Sequence, residues 1–219
     1  MPKKHKIPSG ARFIVASSNC STKPLSKTIS HIFKLIFEQV QNFNLKSKFY
    51  TSINCFWVVK NSFPVIEKLN KINKRRGAKY ISTFDFSTLY TKIEHSSLIE
   101  ELGKIVDLAF KGGERQYIGV NDKIAFWSSN RYKNFSKNDI KLAIKHLICE
   151  CYFTVGNSVF IQTIGIPMGI DPAPFWANLY LHQFETRFMK DIQTSDVEKA
   201  RKFHGCSRFI DDLLCVNDN

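Results

Sequence analysis

Ser207-Arg208-Phe209-Ile210-Asp211-Asp212-Leu213-Leu214-Cys215-Val216 is a strand-like apolar run interrupted by two adjacent carboxylates. Phe209 and Ile210 before them, and Leu213, Leu214 and Val216 after them, read as two short buried strands, so the pattern predicts a tight turn carrying Asp211 and Asp212. Unpaired carboxylates in apolar surroundings cost on the order of several kcal/mol, so the pair needs a cation or a wet turn. A wet turn is the simpler reading, because Asp is an ordinary turn residue. Asp85 changes the balance. It stands between Phe84 and Phe86 near the end of a strand-like run from Lys79 to Phe86, 126 residues upstream of Asp211, and is followed by a helical pattern from about Ser96 to Phe110.

Working outward, a rigid loop, Gly165-Ile166-Pro167-Met168-Gly169-Ile170-Asp171-Pro172-Ala173-Pro174, leads into a helix from about Ala173 to Lys190. Its two glycines and three prolines allow close approach to a flat ligand. Phe175, Trp176, Leu179, Tyr180, Phe184 and Phe188 are expected on that helix's buried face. Tyr152 to Gln162 alternates around Gly156-Asn157 and reads as a hairpin. Ser136 with Asp139 three residues on starts a helix striped by Ile140, Ala143, Ile144, Leu147 and Ile148. Residues 111 to 135 read as a hairpin-like insertion in which Phe126 and Trp127 pack on the core. Pro24 opens a helix whose stripe runs from Leu25 to Phe43, and a shorter helix spans Phe63 to about Asn73. Ala11-Arg12-Phe13-Ile14 reads as a turn feeding a strand that begins with an arginine, whose planar fork suits phosphate.

The 219 residues suffice for a sizeable core, and 43% of them are hydrophobic. The net charge of +13 is uneven: residues 1 to 84 hold 16 Lys/Arg against Glu38 and Glu67, whereas residues 85 to 219 hold 16 against 17 acidic residues. An excess confined to one segment favours a polyanionic partner, most economically nucleic acid. Six cysteines form no CxxC pair, which argues against structural zinc, and without an apolar start they are expected as reduced thiols in an intracellular protein. No run of about 18 apolar residues occurs, so no membrane partner is expected.

Two-metal phosphoryl transfer needs carboxylates from separate strands, and Asp85 and Asp211 could provide them. Phe84-Asp85-Phe86-Ser87-Thr88-Leu89-Tyr90, Gly165-Ile166-Pro167-Met168-Gly169 with Ala173-Pro174, and Arg208-Phe209-Ile210-Asp211-Asp212 resemble motifs A, B and C of reverse transcriptases, most of all those of Penelope-like retroelements. The resemblance continues upstream through Lys4-His5-Lys6, Ala11-Arg12-Phe13-Ile14 and Ser21 to Ser26, covering nearly the whole chain. It implies an α+β right-hand polymerase, with an antiparallel palm sheet packed on helices. Fingers would span 1–76 and 111–164, and palm 77–110 (motif A) and 165–219 (motifs B and C). It implies Mg²⁺, two ions, with Mn²⁺ as a substitute, held by Asp85, the Phe86 backbone and Asp211, with Asp212 as the adjacent supporting carboxylate.

By the same resemblance Arg12 would contact the incoming triphosphate, and the backbone from Phe86 through Ser87 and Thr88 to Leu89 its phosphate oxygens. Tyr90 would exclude a ribose 2′-hydroxyl, Met168 and Gly169 would touch the nascent pair, and Lys4, Lys6 and Pro167 would contact nucleic acid. The substrates would be dNTPs, a DNA primer and an RNA template, and the location nuclear. Two features depart from the family. Asp171 replaces a neutral polar residue, which predicts weakened primer-template binding. The sequence stops at Asn219, before motifs D and E, the thumb and the GIY-YIG endonuclease, so a truncated product with little processive synthesis is expected. A nucleic-acid-binding remnant with an idle carboxylate site is the alternative. Telomerase-like or intron-type reverse transcriptases share the chemistry but fit the motif wording less well.

Overall fold

The computed structural model describes residues 2–3, 10–11, 17, 19–75, 77–86, 88–111, 115–167 and 169–216. Two short strands, β1 (Pro2–Lys3) and β2 (Gly10–Ala11), pair ahead of α1 (Lys23–Thr51), which begins with Pro24 in its first turn and closes on Ser52 in the left-handed region. There follow α2 (Phe63–Arg75), β3 (Ile81–Asp85), a single turn α3 (Leu89–Lys92) and α4 (His95–Ala109). The hairpin β4 (Tyr117–Asn121) and β5 (Ile124–Ser128) precedes α5 (Lys137–Cys149), whose start is a full capping box between Ser136 and Asp139. The hairpin β6 (Tyr152–Val155) and β7 (Ser158–Ile161) turns at Gly156, φ 59°. The chain ends in α6 (Ala173–Ser195), α7 (Val197–Lys202), a short turn Phe203–Gly205, β8 (Ser207–Phe209) and β9 (Asp212–Val216).

The main core lies where α1, α4, α5 and α6 meet. Ile29, Phe33 and Ile36 of α1, Leu102 of α4, Ile144 of α5 and Trp176 of α6 are among its fully buried members, each stripe recurring at the helical period. The second layer is an antiparallel sheet in the order β3-β9-β8. Ile53, Trp57, Met189 and Ile192 support it through Cys206 and Cys215, and the segment Trp57–Val59 covers its β8 edge through two backbone bonds to Arg208.

Several apolar side chains leave the stripes expected for them. Phe43 is exposed because α1 runs past the core, to Thr51, and Phe184, Phe188 and Phe126 are also exposed. Trp127 keeps its packing role against Phe110, centroids 5.0 Å apart. Cys20, Cys55, Cys149 and Cys151 are free thiols, and Cys206 and Cys215 face each other with their sulfurs 3.1 Å apart. Among the described residues no helix is long and apolar enough to cross a membrane.

Candidate active site

The carboxylate pair straddles the end of a two-residue hairpin turn, Asp211 within it and Asp212 opening β9. Phe209 pairs with Asp212, leaving Ile210 and Asp211 as the turn, and Asp85 pairs with Asp212 across the β3–β9 ladder. The Phe86 amide donates to the Asp211 carbonyl at 3.0 Å, so the two segments stay together beyond the ladder. Asp85 and Asp212 are exposed and Asp211 is half-buried. Ile210 has φ 54°, a conformation that costs a β-branched residue roughly 1 to 3 kcal/mol and persists only when its surroundings enforce it.

Arg208 supplies the enforcement. It is fully buried, and its Nη1 donates to the Ile210 carbonyl at 2.7 Å and to Asn178 Oδ1 at 2.9 Å. Nη2 donates to the Asn178 carbonyl at 3.0 Å and to Glu185 Oε2 at 3.3 Å, while Nε pairs with Glu185 Oε1. Burial pushes Glu185 up, but the His182 ring 3.7 Å away and the Arg208 charge outweigh it and hold the carboxyl below its ordinary value. The charged pair therefore survives in the interior with its hydrogen-bonding capacity used. Neither this cluster nor its role is legible in the sequence beyond the presence of an arginine in an apolar run.

The segment after Asp85 and the Gly/Pro loop are zipped together by backbone bonds. Ile166 N donates to the Tyr90 carbonyl at 2.9 Å, Gly165 N to the Ile93 carbonyl at 2.7 Å, and His95 Nε2 lies 2.9 Å from the Gly165 carbonyl. Only glycine fits at 165: φ is +88°, and a Cβ there would lie 2.4 Å from the Tyr90 carbonyl oxygen. Tyr90 is half-buried, and burial together with the Asp211 charge raises its phenol pKa.

The other end of the loop is clamped to α1 by Asp171. Its carboxylate accepts from Ser26 Oγ at 2.7 Å and pairs with Lys23 at 2.9 Å, and its own amide donates to Ser26 Oγ at 2.8 Å. Burial raises the Asp171 carboxyl, but Ser26 and Lys23 outweigh it and hold it below the usual range. The expectation that Asp171 presents a loose negative charge to nucleic acid is therefore corrected: Lys23 neutralises it, and it acts as a fastener.

A cleft of about 540 Å³ opens beside the turn, lined by Asp85, Phe86, Thr88, Leu89, Lys92 and Tyr180 among others. Lys92 is a cation that the motif reading passed over, although its position seven residues after Asp85 was available as a signal. Thr88 is exposed, and its amide is the described donor in this stretch that no backbone group takes. Leu89 is buried and its amide donates to the Phe86 carbonyl at 3.1 Å, so it is not a phosphate donor as expected. Pro167 is buried, whereas Gly169, φ 91°, is exposed. Lys4, Lys6, Arg12, Ser87 and Met168 lie outside the described residues.

Among the described residues no group of three or more His, Cys, Asp or Glu side chains is gathered closely enough to hold a metal by itself. A hard divalent cation suits the donors present: Mg²⁺ is ordinarily held by one or two carboxylates and completed by water and substrate phosphates rather than by a closed protein cage. Asp85, Asp211 and the remaining lone pair of the Phe86 carbonyl would be the oxygen donors to such an ion.

The telomerase of Candida albicans, solved in complex with a TWJ fragment of telomeric RNA, superposes on this chain with a TM-score of 0.62 at 14% identity, over 88% of this chain and 30% of that one. The fold is that of the matched part of this telomerase. The apo telomerase of Candida tropicalis truncated from its C-terminal domain gives a TM-score of 0.60 at 13% identity, covering 93% of this chain and 35% of that one. The same organism's telomerase with a TWJ fragment of telomeric RNA gives 0.58 at 14%, over 87% and 28%. This chain therefore spans about a third of the length of its structural neighbours. No protein-family model and no curated protein sequence matches it significantly. The likeness is one of fold, mixed helix and strand with antiparallel sheets.

Proposed function

We propose that the chain is the fingers and palm of an RNA-directed DNA polymerase of retroelement origin, similar to Penelope-like reverse transcriptases and acting in the nucleus. The observation that carries this reading is the register that sets Asp85 opposite Asp212, with Asp211 in the adjoining turn and Asp85 itself in the wall of a cleft shared with Thr88 and Tyr180.

Asp85, the Phe86 carbonyl and Asp211 would hold two Mg²⁺ ions, and Asp212 would add its charge to their neighbourhood. When bound, such ions lower the pKa of the primer 3′-hydroxyl and neutralise charge on the transferring phosphoryl group. The chain's own part is positioning. Arg208 holds the strained turn, so the Asp211 carboxylate is fixed before substrate arrives. The Thr88 amide and Lys92 offer donors to phosphate oxygens, and the Tyr90 ring, braced through its carbonyl by Ile166, limits the space for a ribose 2′-hydroxyl. The exposed Gly169 backbone would face the nascent pair, and the cations of the first 84 residues the phosphates of template and primer.

The decisive assay is single-nucleotide addition to an oligo(dT) primer on poly(rA) with dTTP and Mg²⁺. Asp85→Asn and Asp211→Asn should abolish addition while leaving salt-sensitive binding of the primer-template unchanged or slightly tighter. Tyr90→Val should admit UTP. Addition at wild-type rate by either aspartate variant would overturn the assignment. Binding without any addition by the unaltered chain would leave a nonenzymatic nucleic-acid-binding remnant.

A further inference from the structure

Cations that the carboxylate site does not use gather at the other end of α1. Lys48 lies in its last turn, Lys68, Lys71 and Arg75 lie on α2, and His204 lies in the turn before β8. Lys68 ties α2 to the base of the sheet, its Nζ donating to the Cys206 carbonyl at 2.6 Å and to Ser207 Oγ at 2.7 Å. Otherwise α2 buries none of its residues.

The group is self-repelling. Burial and then Lys71 depress Lys48, burial and then Lys48 depress Lys68, and burial followed by Lys48, Lys68 and Arg75 depresses His204. Among the described residues no carboxylate pairs with Lys48, Lys68, Lys71 or Arg75, although Asp and Glu partners neutralise Lys23, Lys104, Lys141 and Arg187 elsewhere. Such a cluster is complementary to a polyanion.

Immediately after Lys48 stand Phe49 and Tyr50, 82% and 83% exposed, with their rings 5.4 Å apart at nearly a right angle. Cations interleaved with bare aromatic faces suit unpaired bases on a phosphate backbone, since each base can stack on a ring only if it has left its own duplex stack. The place is also separate from the cleft, since none of Lys48, Phe49, Tyr50, Lys71 and Arg75 lines it.

We propose that the C-terminal end of α1 together with α2 is a second nucleic-acid surface that takes a single-stranded segment, its phosphates on Lys48, Lys71 and Arg75 and its bases on Phe49 and Tyr50. This deepens the polymerase reading and rests on it for its purpose: a strand that enters or leaves the cleft unpaired is held at a point away from the turn aspartates.

Fluorescence anisotropy of the full chain with fluorescein-labelled 15-nucleotide oligo(rU), oligo(dT) and a blunt 15-base-pair duplex tests it. In K48Q/K71Q/R75Q the slope of log affinity against log salt for the single strands should fall by about 2, three phosphate contacts at roughly 0.7 each. In F49A/Y50A single-strand affinity should fall about tenfold per stacked base, with duplex affinity within about twofold of the unaltered chain. K71Q/R75Q, both exposed, serves the charge test if loss of Lys48 lowers the melting temperature. Unchanged single-strand affinity in both variant sets overturns the proposal, and equal loss for duplex and single strand in F49A/Y50A overturns its single-strand assignment. Preference between oligo(rU) and oligo(dT) separates an RNA from a DNA occupant. Failure of nucleotide addition with these binding results intact sinks the polymerase reading and leaves the surface standing.

Discussion

Asp85 and Asp212 stand directly opposite one another across the β3–β9 ladder, so two like charges share one cross-strand position. Opposed like charges oppose strand pairing by a few tenths of a kcal/mol up to about 1. Asp85→Asn and Asp212→Asn should each raise the melting temperature in metal-free buffer by about 1 to 3 °C, while Asp85→Asn removes nucleotide addition. Added Mg²⁺ should narrow the gap by stabilising the unaltered chain. A melting temperature lowered by both substitutions would show that the pair is not repulsive.

Arg208 binds the carbonyl of a strained residue and two partners on α6. Arg208→Met leaves Glu185 buried with only His182 beside it, and should cost about 3 to 5 kcal/mol in urea unfolding. Arg208→Met with Glu185→Leu should recover most of that stability yet not restore nucleotide addition, because nothing then holds the Ile210 carbonyl. Addition recovering in step with stability would reduce Arg208 to a packing residue.

The Asp171 carboxyl is held below its ordinary value, so its contribution is present above the unfolded carboxylate range near 4 and is lost as pH falls through the lower folded value. Asp171→Asn should therefore lower stability at pH 7 and flatten the acid limb of the stability curve. It should also raise the KM for the primer-template, since Lys23 and Ser26 no longer fasten the Gly165–Pro174 loop. A KM lowered by this substitution would restore the expectation of a repulsive charge.

Gly165→Ala places a methyl group 2.4 Å from the Tyr90 carbonyl at a φ of +88°. The chain must shift on one side or the other, at a cost of at least about 1 to 3 kcal/mol. Because the clash falls on Tyr90, discrimination between dTTP and UTP should weaken along with stability, whereas Gly156→Ala, with open space around it, should leave discrimination unchanged. Equal discrimination in both variants would uncouple the loop from Tyr90.

Lys68 is depressed to about 8 by burial and then by Lys48, against small opposing contributions from Cys206 and Cys215. Below pH 8 the folded chain carries this ammonium at a cost. As pH rises from about 8 towards 10.5 the folded state releases a proton that the unfolded chain keeps, so Lys68 adds stability over that window. The difference between the unaltered chain and Lys68→Met, followed by urea midpoint from pH 7 to 10, should therefore grow in favour of lysine. A difference flat with pH would remove Lys68 from the basic cluster.

Local pattern was enough for much of this molecule. The Ser136–Asp139 capping box, the Gly156-Asn157 hairpin, the stripe of α5 and the turn at Asp211 follow from period and turn chemistry, because each depends on residues a few positions apart. The α+β class with antiparallel sheets was legible as well, from the order of motifs around Asp85, Gly165–Gly169 and Asp211-Asp212. Which aspartate faces Asp85, the burial of Arg208 and Pro167, the loss of Leu89's amide to Phe86, and the capture of Asp171 by Lys23 were decided only by the tertiary structure. These depend on partners brought together from distant parts of the chain, and on the balance between desolvation and pairing at each buried charge, which no spacing encodes.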